Sequence, residues 1–215
     1  MKKIFAFSIL VTCVFFISHS CTYSEKPTLS RVQDKQEIIR IIPKNQYRKN
    51  FYPYKMVERD TKRTGLNFLD KGYDSMFIRL WYVYRATKQV IDLKKTDGKW
   101  SAEFHSMKMG VIEEQLGVVE TKSIPISPKS DWNVFMSKLF SLKILDLPDE
   151  SELPNYKNLV NDAAFVVVEI STKEMYKIYH YGEISEHLEF PQAVNMENIM
   201  KLIDEEFGIK RDEKF

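Results

Sequence analysis

Residues 75–84, SMFIRLWYVY, are the strongest strand signal in this chain of 215 residues. In an extended backbone, successive side chains point to opposite faces, so even and odd positions form two separate surfaces. Both surfaces are largely apolar or aromatic: Met76, Ile78, Leu80, Tyr82 and Tyr84 alternate with Phe77, Arg79, Trp81 and Val83. A strand of this kind is predicted to be covered on both sides.

Other segments have the alternating or β-branched composition of strands: 90–94, 100–107, 118–126, 163–170 and 175–181. Asp97 and Gly98 suit a two-residue turn with positive φ, so segments 90–94 and 100–107 are predicted to form a hairpin. A polar turn at 171–174 predicts a second hairpin, formed by segments 163–170 and 175–181. The short apolar patch at 37–42 is either an edge strand or a first helical turn.

Two amphipathic helices are predicted toward the C-terminus. Ser130 precedes the first, and Asn195 caps the second, which ends at Gly208. Their apolar side chains recur at helical spacing: Trp132, Phe135, Met136, Leu139 and Phe140, then Met196, Ile199, Met200, Ile203 and Phe207. Residues 44–72 have no clean period. We therefore expect an α+β fold, an antiparallel sheet of about five or six strands with two helices packed on one face.

Residues 1–20 have the parts of a secretory signal peptide. Lys2 and Lys3 supply the positive start, and residues 4–17 are fourteen uncharged residues. That run is shorter than the about 20 residues that a transmembrane span needs. Ser18 and Ser20 are small residues at the positions that signal peptidase reads, which predicts cleavage between Ser20 and Cys21. The alternative is an N-terminal membrane anchor that is never cut.

A Cys directly after such a leader resembles the lipobox of bacterial lipoproteins, although that family prefers Leu where this chain has Ser18. The resemblance covers residues 1–21. It implies that the Cys21 thiol carries diacylglycerol and that the lipid attaches the protein to a membrane of the bacterial envelope, with the outer membrane expected. Segments 73–103 and 169–181 also resemble uncharacterised lipoproteins of Bacteroidota-type bacteria, a likeness that implies no activity. The alternative is secretion with Cys21 as a free thiol.

The chain is expected to divide into a signal peptide (1–20), a lipidated Cys with a polar tether (21–36) and a single domain (37–215). Cleavage removes two of the 32 basic residues and none of the 30 acidic ones, so the mature chain carries 30 of each. No nucleic-acid partner is therefore expected. Residues 40–63 are locally basic, which suits either a solvated surface or contact with anionic lipid headgroups.

Composition also excludes several kinds of chemistry. Residues 22–215 contain no Cys, which excludes thiolate catalysis and Cys-ligated zinc in the mature body. The seven glycines are scattered along the sequence, whereas phosphate-binding loops and dinucleotide-binding fingerprints need clustered glycines. No catalytic residue, metal site or cofactor is predicted.

The candidate ligand-binding residues are the aromatic side chains Trp81, Tyr82, Tyr84 and Trp100. A sheet face rich in Trp and Tyr can bind sugars, peptides or lipids, because it offers apolar area with a polar edge. The alternative is that these residues form the core beneath the two helices.

Two groups that contain histidine are weaker candidates. One combines histidines and carboxylates, and it suits either a metal site or a surface loop: His180, Glu183, Glu186 and His187. In the other, His105 shares a predicted strand with Ser101 and Glu103. A catalytic triad is assembled from separate elements, so this second group predicts no nucleophile.

The expected function is that of a lipid-anchored binding or interaction module of the cell envelope. Its partners would be the membrane, through the N-terminal lipid, and an envelope protein or a small ligand. Two alternatives stay open, an inhibitor or immunity-type lipoprotein that caps a partner protein and an enzyme of unrecognised type. A large exposed patch would favour the first alternative, and a deep pocket with His and carboxylates would favour the second.

Overall fold

The computed structural model describes residues 37–44, 52–84, 87–112, 115–156 and 164–211. These residues belong to one compact unit, Gln36–Phe215. The predicted signal peptide, Cys21 and the tether lie outside the described residues. Within the described part of the chain, no helix combines the length and the hydropathy that crossing a bilayer requires.

A single sheet of seven strands organises the domain, in the order β1-β7-β6-β2-β3-β4-β5. The strands are β1 (Ile39–Ile41), β2 (Met76–Val83), β3 (Thr87–Thr96), β4 (Lys99–Ile112), β5 (Gln115–Ile126), β6 (Phe165–Thr172) and β7 (Met175–Gly182). All pairings are antiparallel except β1 with β7, which is parallel. The α+β architecture is confirmed, but the expected count of five or six strands is too low because β1 adds an edge.

The central position of β2 follows from its composition. It pairs with β3 on one side and β6 on the other, so that Arg79 lies opposite Asp92 and Glu169. Both of its faces are buried, as its doubly apolar alternation predicts. The hairpin between β3 and β4 turns at Asp97 and Gly98, whose φ angles of 50° and 78° give the predicted left-handed turn.

Among the described residues, three helices cover the sheet, and they lie on both of its faces: α1 (Tyr52–Thr64), α2 (Trp132–Ser141) and α3 (Pro191–Phe207). The even-numbered side chains of β2, such as Leu80, share a core with α2 and α3. The odd-numbered side chains, such as Phe77, share a second core with Met56 and Val57 of α1. The expectation of two helices on one face is therefore corrected to three helices on two faces.

The helix ends differ from the prediction at two places. The N-cap of α2 is Asp131 rather than Ser130, because the Asp131 carboxylate accepts from the backbone N–H of Asn133 at 2.8 Å. The third helix begins at Pro191, a residue suited to the first helical turn, so Asn195 lies inside the helix. Its end at Gly208, with φ of 64°, is confirmed.

Candidate functional site

The predicted aromatic binding residues lie in the interior. Trp81 and Tyr82 are 0% exposed and Tyr84 is 4% exposed, while Trp100 is partly buried against the ring of Phe140. Trp81 belongs to the α1-side core, whereas Tyr82 and Tyr84 belong to the core under α2 and α3. Because neighbouring positions of a strand face opposite ways, Trp81 points away from Tyr82 and Tyr84. All four side chains pack in or against the two cores, which accounts for their burial.

The α1 side of the sheet contains a row of buried charges at its centre. The Arg79 guanidinium, 0% exposed, donates to both carboxylate oxygens of Asp92, from Nε at 2.6 Å and from Nη2 at 3.0 Å. Its Nη1 donates to the backbone carbonyl of Asn67 at 2.9 Å and lies 3.8 Å from Oε2 of Glu169. This forked geometry fixes the guanidinium beneath the segment that follows α1.

Glu169 is held by two donors as well as by this cation. Trp81 Nε1 donates to Oε2 at 2.7 Å, and the Tyr176 hydroxyl donates to Oε1 at 2.9 Å. Burial raises the pKa of Glu169 above its ordinary value, and the charge of Arg79 with the two hydrogen bonds only partly opposes that rise. Burial acts in the same direction on Asp92, but there Arg79 and His105 prevail and the pKa falls.

A second buried pair attaches α1 to the sheet. The Lys88 ammonium on β3 donates to the Asp60 carboxylate on α1, and Arg59 Nε donates to the other oxygen of that carboxylate at 2.9 Å. Burial lowers the pKa of Lys88 despite the opposing charge of Asp60. These contacts fix the position of α1 above β2 and β3. The space beside the helix, above β6 and β7, therefore has a fixed shape.

That space is a pocket of about 250 Å³. Its lining comes from α1 (Tyr54, Val57, Glu58 and Thr61), from the following segment (Phe68, Leu69, Asp70 and Lys71) and from the sheet (Glu169 of β6 and Tyr176 of β7). The buried carboxyl group of Glu169 thus borders the cavity. A buried titratable group with a perturbed pKa on the wall of a pocket is a common mark of a functional site.

The segment after α1 is anchored to the sheet, which gives the pocket a defined wall. The Ser171 hydroxyl donates to the backbone carbonyl of Leu69 at 2.8 Å, and Arg79 holds the carbonyl of Asn67. At Gly72 a Cβ would lie 2.9 Å from Ile38 Cδ1 and 3.2 Å from the carbonyl oxygen of Thr172, so glycine is needed for this close approach.

Two polar atoms of the lining have no hydrogen-bond partner among the described residues. Thr61, which is 1% exposed, contributes Oγ1, and Asp70 contributes Oδ1, while its other oxygen lies 3.6 Å from Arg40 Nη2. Burial, and after it the nearby charges of Asp70 and Glu58, raise the pKa of Tyr54, and the charge of Arg40 partly opposes that rise. An acceptor left without a donor in such a place costs free energy and needs an explanation.

The predicted cluster consists of His180, Glu183, Glu186 and His187, and the structure shows partners outside that cluster for both histidines. His180 pairs instead with two residues far away in sequence, through Nδ1 to Asp149 at 2.7 Å and through Nε2 to Glu150 at 2.9 Å. Burial alone would lower the pKa of His180, but these two hydrogen bonds raise it to about 9. His187 stacks on the ring of Tyr156 at 4.0 Å. The described residues include no group of three or more His, Cys, Asp or Glu side chains that could hold a metal ion.

The nearest partners of His105 lie on other strands, and the predicted Glu103 is farther away, with its Oε2 4.0 Å from His105 Nε2. The Nδ1 atom of His105 lies 2.7 Å from the Ser123 hydroxyl on β5, and its Nε2 lies 3.4 Å from Asp92 on β3. Ser101 is exposed. The imidazole therefore belongs to the buried polar row under α1.

Sequence analysis missed the pocket residues, although Glu169 on the pocket wall and its neighbour Arg79 gave a signal. Arg79 in SMFIRLWYVY and Glu169 in FVVVEIST are single charges inside otherwise apolar strands. A charge at such a position is rarely tolerated unless it is paired, so the two residues together indicated a buried ion pair.

Comparison with known proteins adds no relative to this description. No family matches the chain, and neither the curated proteins nor the solved structures include a significant match.

Proposed function

We propose that this chain is a lipid-anchored lipoprotein of the bacterial envelope, attached through Cys21, and that its domain binds a small ligand in the pocket between α1 and β6–β7. The observation that carries the proposal is the pocket itself, in which the buried carboxyl group of Glu169 lies beside the aromatic rings of Tyr54 and Tyr176. A concave site that combines apolar walls with a few polar groups is the usual setting for a small ligand.

The anchor and the pocket have complementary roles in this proposal. Acyl chains on Cys21, followed by a polar tether, keep the domain at the outer membrane and raise its local concentration there. A single acyl chain binds membranes only weakly and reversibly, so the several chains of the lipoprotein type are required. A tethered domain can then capture or present a ligand close to the membrane surface.

Metabolic labelling with a fatty acid tests the anchor. Cys21→Ser should abolish incorporation and leave the protein as a precursor or in the soluble fraction. Cys13→Ser is the matched control, because it removes the other Cys of the chain from within the leader, and it should incorporate label normally. Label on the Cys21→Ser variant would exclude the assignment.

Native mass spectrometry of the full chain, extracted from membranes in mild detergent, tests the ligand. Glu58→Trp places a bulky ring at an exposed position on the rim of the pocket, and Glu205→Trp places the same ring at an exposed position on α3. We expect a bound small molecule on the wild type and on Glu205→Trp, and none on Glu58→Trp. Wild-type protein without a bound mass, or Glu58→Trp with the same one, would contradict the proposal.

A second candidate function, capping of a partner protein, is favoured by the exposed edge of the sheet. β5 pairs only with β4 among the described strands, and Val111, Val119 and Ile124 in this hairpin are 75%, 48% and 54% exposed. An unpaired apolar edge can accept a strand from another chain. A photo-crosslinker at Ile124 should then yield one discrete adduct in cells that the same crosslinker at Glu205 does not. Identical adducts from both positions would remove this candidate.

A further inference from the structure

We infer that the outer face of α1 docks on the anionic phosphate headgroups of a membrane, and this inference rests on the proposal that the chain is attached to one. The buried positions of this helix face the sheet: Pro53, Met56, Val57, Asp60 and Thr61. On the other side, basic residues recur at helical spacing: Lys55, Arg59, Lys62 and Arg63. These four residues are called the basic face of α1 below.

The charge of the basic face is not cancelled by the residues around it. Lys62 and Arg63 are exposed, and within the described part of the chain neither of them pairs with a carboxylate. Asp60 is buried beneath the face, where it pairs with Lys88 as well as with Arg59, so it offsets at most the charge of Arg59. Glu58 is the one exposed acidic residue of this helix, so a positive charge remains at its outer surface.

The helix α3 on the other face of the sheet carries the opposite charge. It contains four acidic residues and one basic residue: Glu197, Asp204, Glu205, Glu206 and Lys201. Helix α1, by contrast, contains four basic residues and two acidic ones. Because α1 and α3 pack on opposite faces of the sheet, an anionic surface attracts one side of the domain and repels the other.

An aromatic side chain lies next to the basic face. Phe68 borders the same cavity as Glu58 of α1, and it is 42% exposed. The ammonium group of Lys71 lies 5.9 Å from the centre of the Phe68 ring. Exposed rings beside cationic side chains suit the membrane–water interface, where the ring contacts the headgroup region and the cation reaches a phosphate.

The proposed tether does not select an orientation by itself. Residues 22–36, fully extended, can span at most about 50 Å. That reach exceeds the radius of gyration of a domain of this size, about 16 Å, so any face could rest on the membrane. Each Lys or Arg close to an anionic membrane strengthens attachment by about fivefold, and salt weakens this effect. The basic face therefore decides which side of the domain docks.

Photo-crosslinking to lipids tests the orientation. The full chain, extracted in mild detergent, is reconstituted into vesicles of phosphatidylcholine alone or of phosphatidylcholine with phosphatidylglycerol, with benzoylphenylalanine in place of Phe68 or of Val134. Val134 is the matched position, because it is an apolar residue of α2 with 47% of its surface exposed. With phosphatidylglycerol we expect at least about tenfold more lipid adduct from position 68 than from position 134, and a much smaller difference with phosphatidylcholine alone.

Matched charge variants locate the docking surface. Lys62→Gln combined with Arg63→Gln removes two charges of the basic face at exposed positions outside the pocket lining. It should lower the ratio of docked to undocked protein by about 25-fold, measured from the adduct at position 68. Lys138→Gln combined with Lys201→Gln removes the same charge from exposed positions of α2 and α3, and it should not lower that adduct.

Equal adducts from positions 68 and 134, a position-68 adduct that does not depend on phosphatidylglycerol, or equal effects of the two double variants would each overturn the inference. Flotation of the wild type with vesicles of phosphatidylcholine alone reports on the anchor, because these vesicles carry no net charge. If the protein floats with them while the position-68 adduct shows no preference, the anchor remains and only the docking surface is wrong. If the protein floats with neither kind of vesicle, both proposals fail.

Discussion

Replacing Arg79 by Met tests the role of the buried charge row most directly. Met fills a similar volume without a charge, so the change removes the guanidinium while leaving the strand apolar. Asp92 then loses two hydrogen bonds and Glu169 loses its nearest cation, while both carboxyl groups stay buried. Removing one partner of a buried ion pair costs about 3–5 kcal/mol, because the remaining charge is left uncompensated.

That loss is a large share of the about 5–15 kcal/mol that stabilises an ordinary domain. With a urea dependence of about 2 kcal/mol per molar, the unfolding midpoint of Arg79→Met should fall by about 2 M. Circular dichroism during urea titration of the full chain measures it. Lys201→Met is the control: it breaks an exposed helical pair with Glu197 at 3.0 Å, so the free energy of unfolding should change by about 0.5 kcal/mol or less.

A second variant separates charge from packing. Arg79→Met combined with Asp92→Asn removes one uncompensated carboxylate and should recover part of the loss. Lowering the pH should also reduce the difference in unfolding free energy between Arg79→Met and the wild type, because protonation neutralises the carboxyl groups that have lost their cation. A single variant with an unchanged midpoint, or a double variant that is no more stable than the single one, would refute this account of the charge row.

Two further predictions concern His180 and the α2–α3 core. The pKa of His180 is raised to about 9 in the fold from an ordinary 6.5, so its stabilisation is complete below about pH 6.5 and is lost as the pH rises through about 9. The free energy of unfolding from urea titrations should therefore fall by up to about 3 kcal/mol between about pH 6 and about pH 10 in the wild type, and by less in His180→Gln. Parallel curves for the two proteins would contradict the pairing of His180 with Asp149 and Glu150. Phe135, 0% exposed, packs edge to face on the partly buried Phe207 at 5.1 Å. Phe135→Ala should cost about 3–5 kcal/mol and Phe207→Ala less, and the same urea titration would show an undocked α3 if Phe207→Ala left the midpoint unchanged.

The strands were predictable because their signal is local. Alternation within 75–84 follows from the geometry of an extended chain, and a segment apolar on both faces can be stable only between two layers. The Asp97-Gly98 turn was predictable for the same reason, since it needs residues that tolerate positive φ. For the three-residue β1 the sequence left an edge strand and a helical turn open, because its residues are exposed and its partner among the described strands, β7, lies far along the chain.

Helix α1 was missed because part of its buried stripe is polar. Its buried positions, Pro53, Met56, Val57, Asp60 and Thr61, have regular helical spacing. Asp60 and Thr61 are hydrophilic, however, so the hydrophobic period disappears from the sequence. Asp60 is tolerated in the interior because Lys88 and Arg59 pair with it, and Thr61 lines the pocket.

Which residues form the candidate site could not be predicted from the sequence, for a related reason. Its lining joins α1, the segment after it, β6 and β7, and no spacing within the sequence relates these parts. Arg79 and Glu169 were visible as isolated charges in apolar strands, but nothing local indicated that Trp81, 88 residues away, would donate to Glu169.

Periodicity along the chain was enough to identify the central strands and the two amphipathic helices. The local backbone geometry alone decides which face of a strand or helix each side chain occupies. The partners of the buried charges, and with them the existence of the pocket, came from the folded molecule alone. The free energy of a charge in the interior depends on which oppositely charged group lies within a few ångströms, and here that group comes from another strand or from the helix above it.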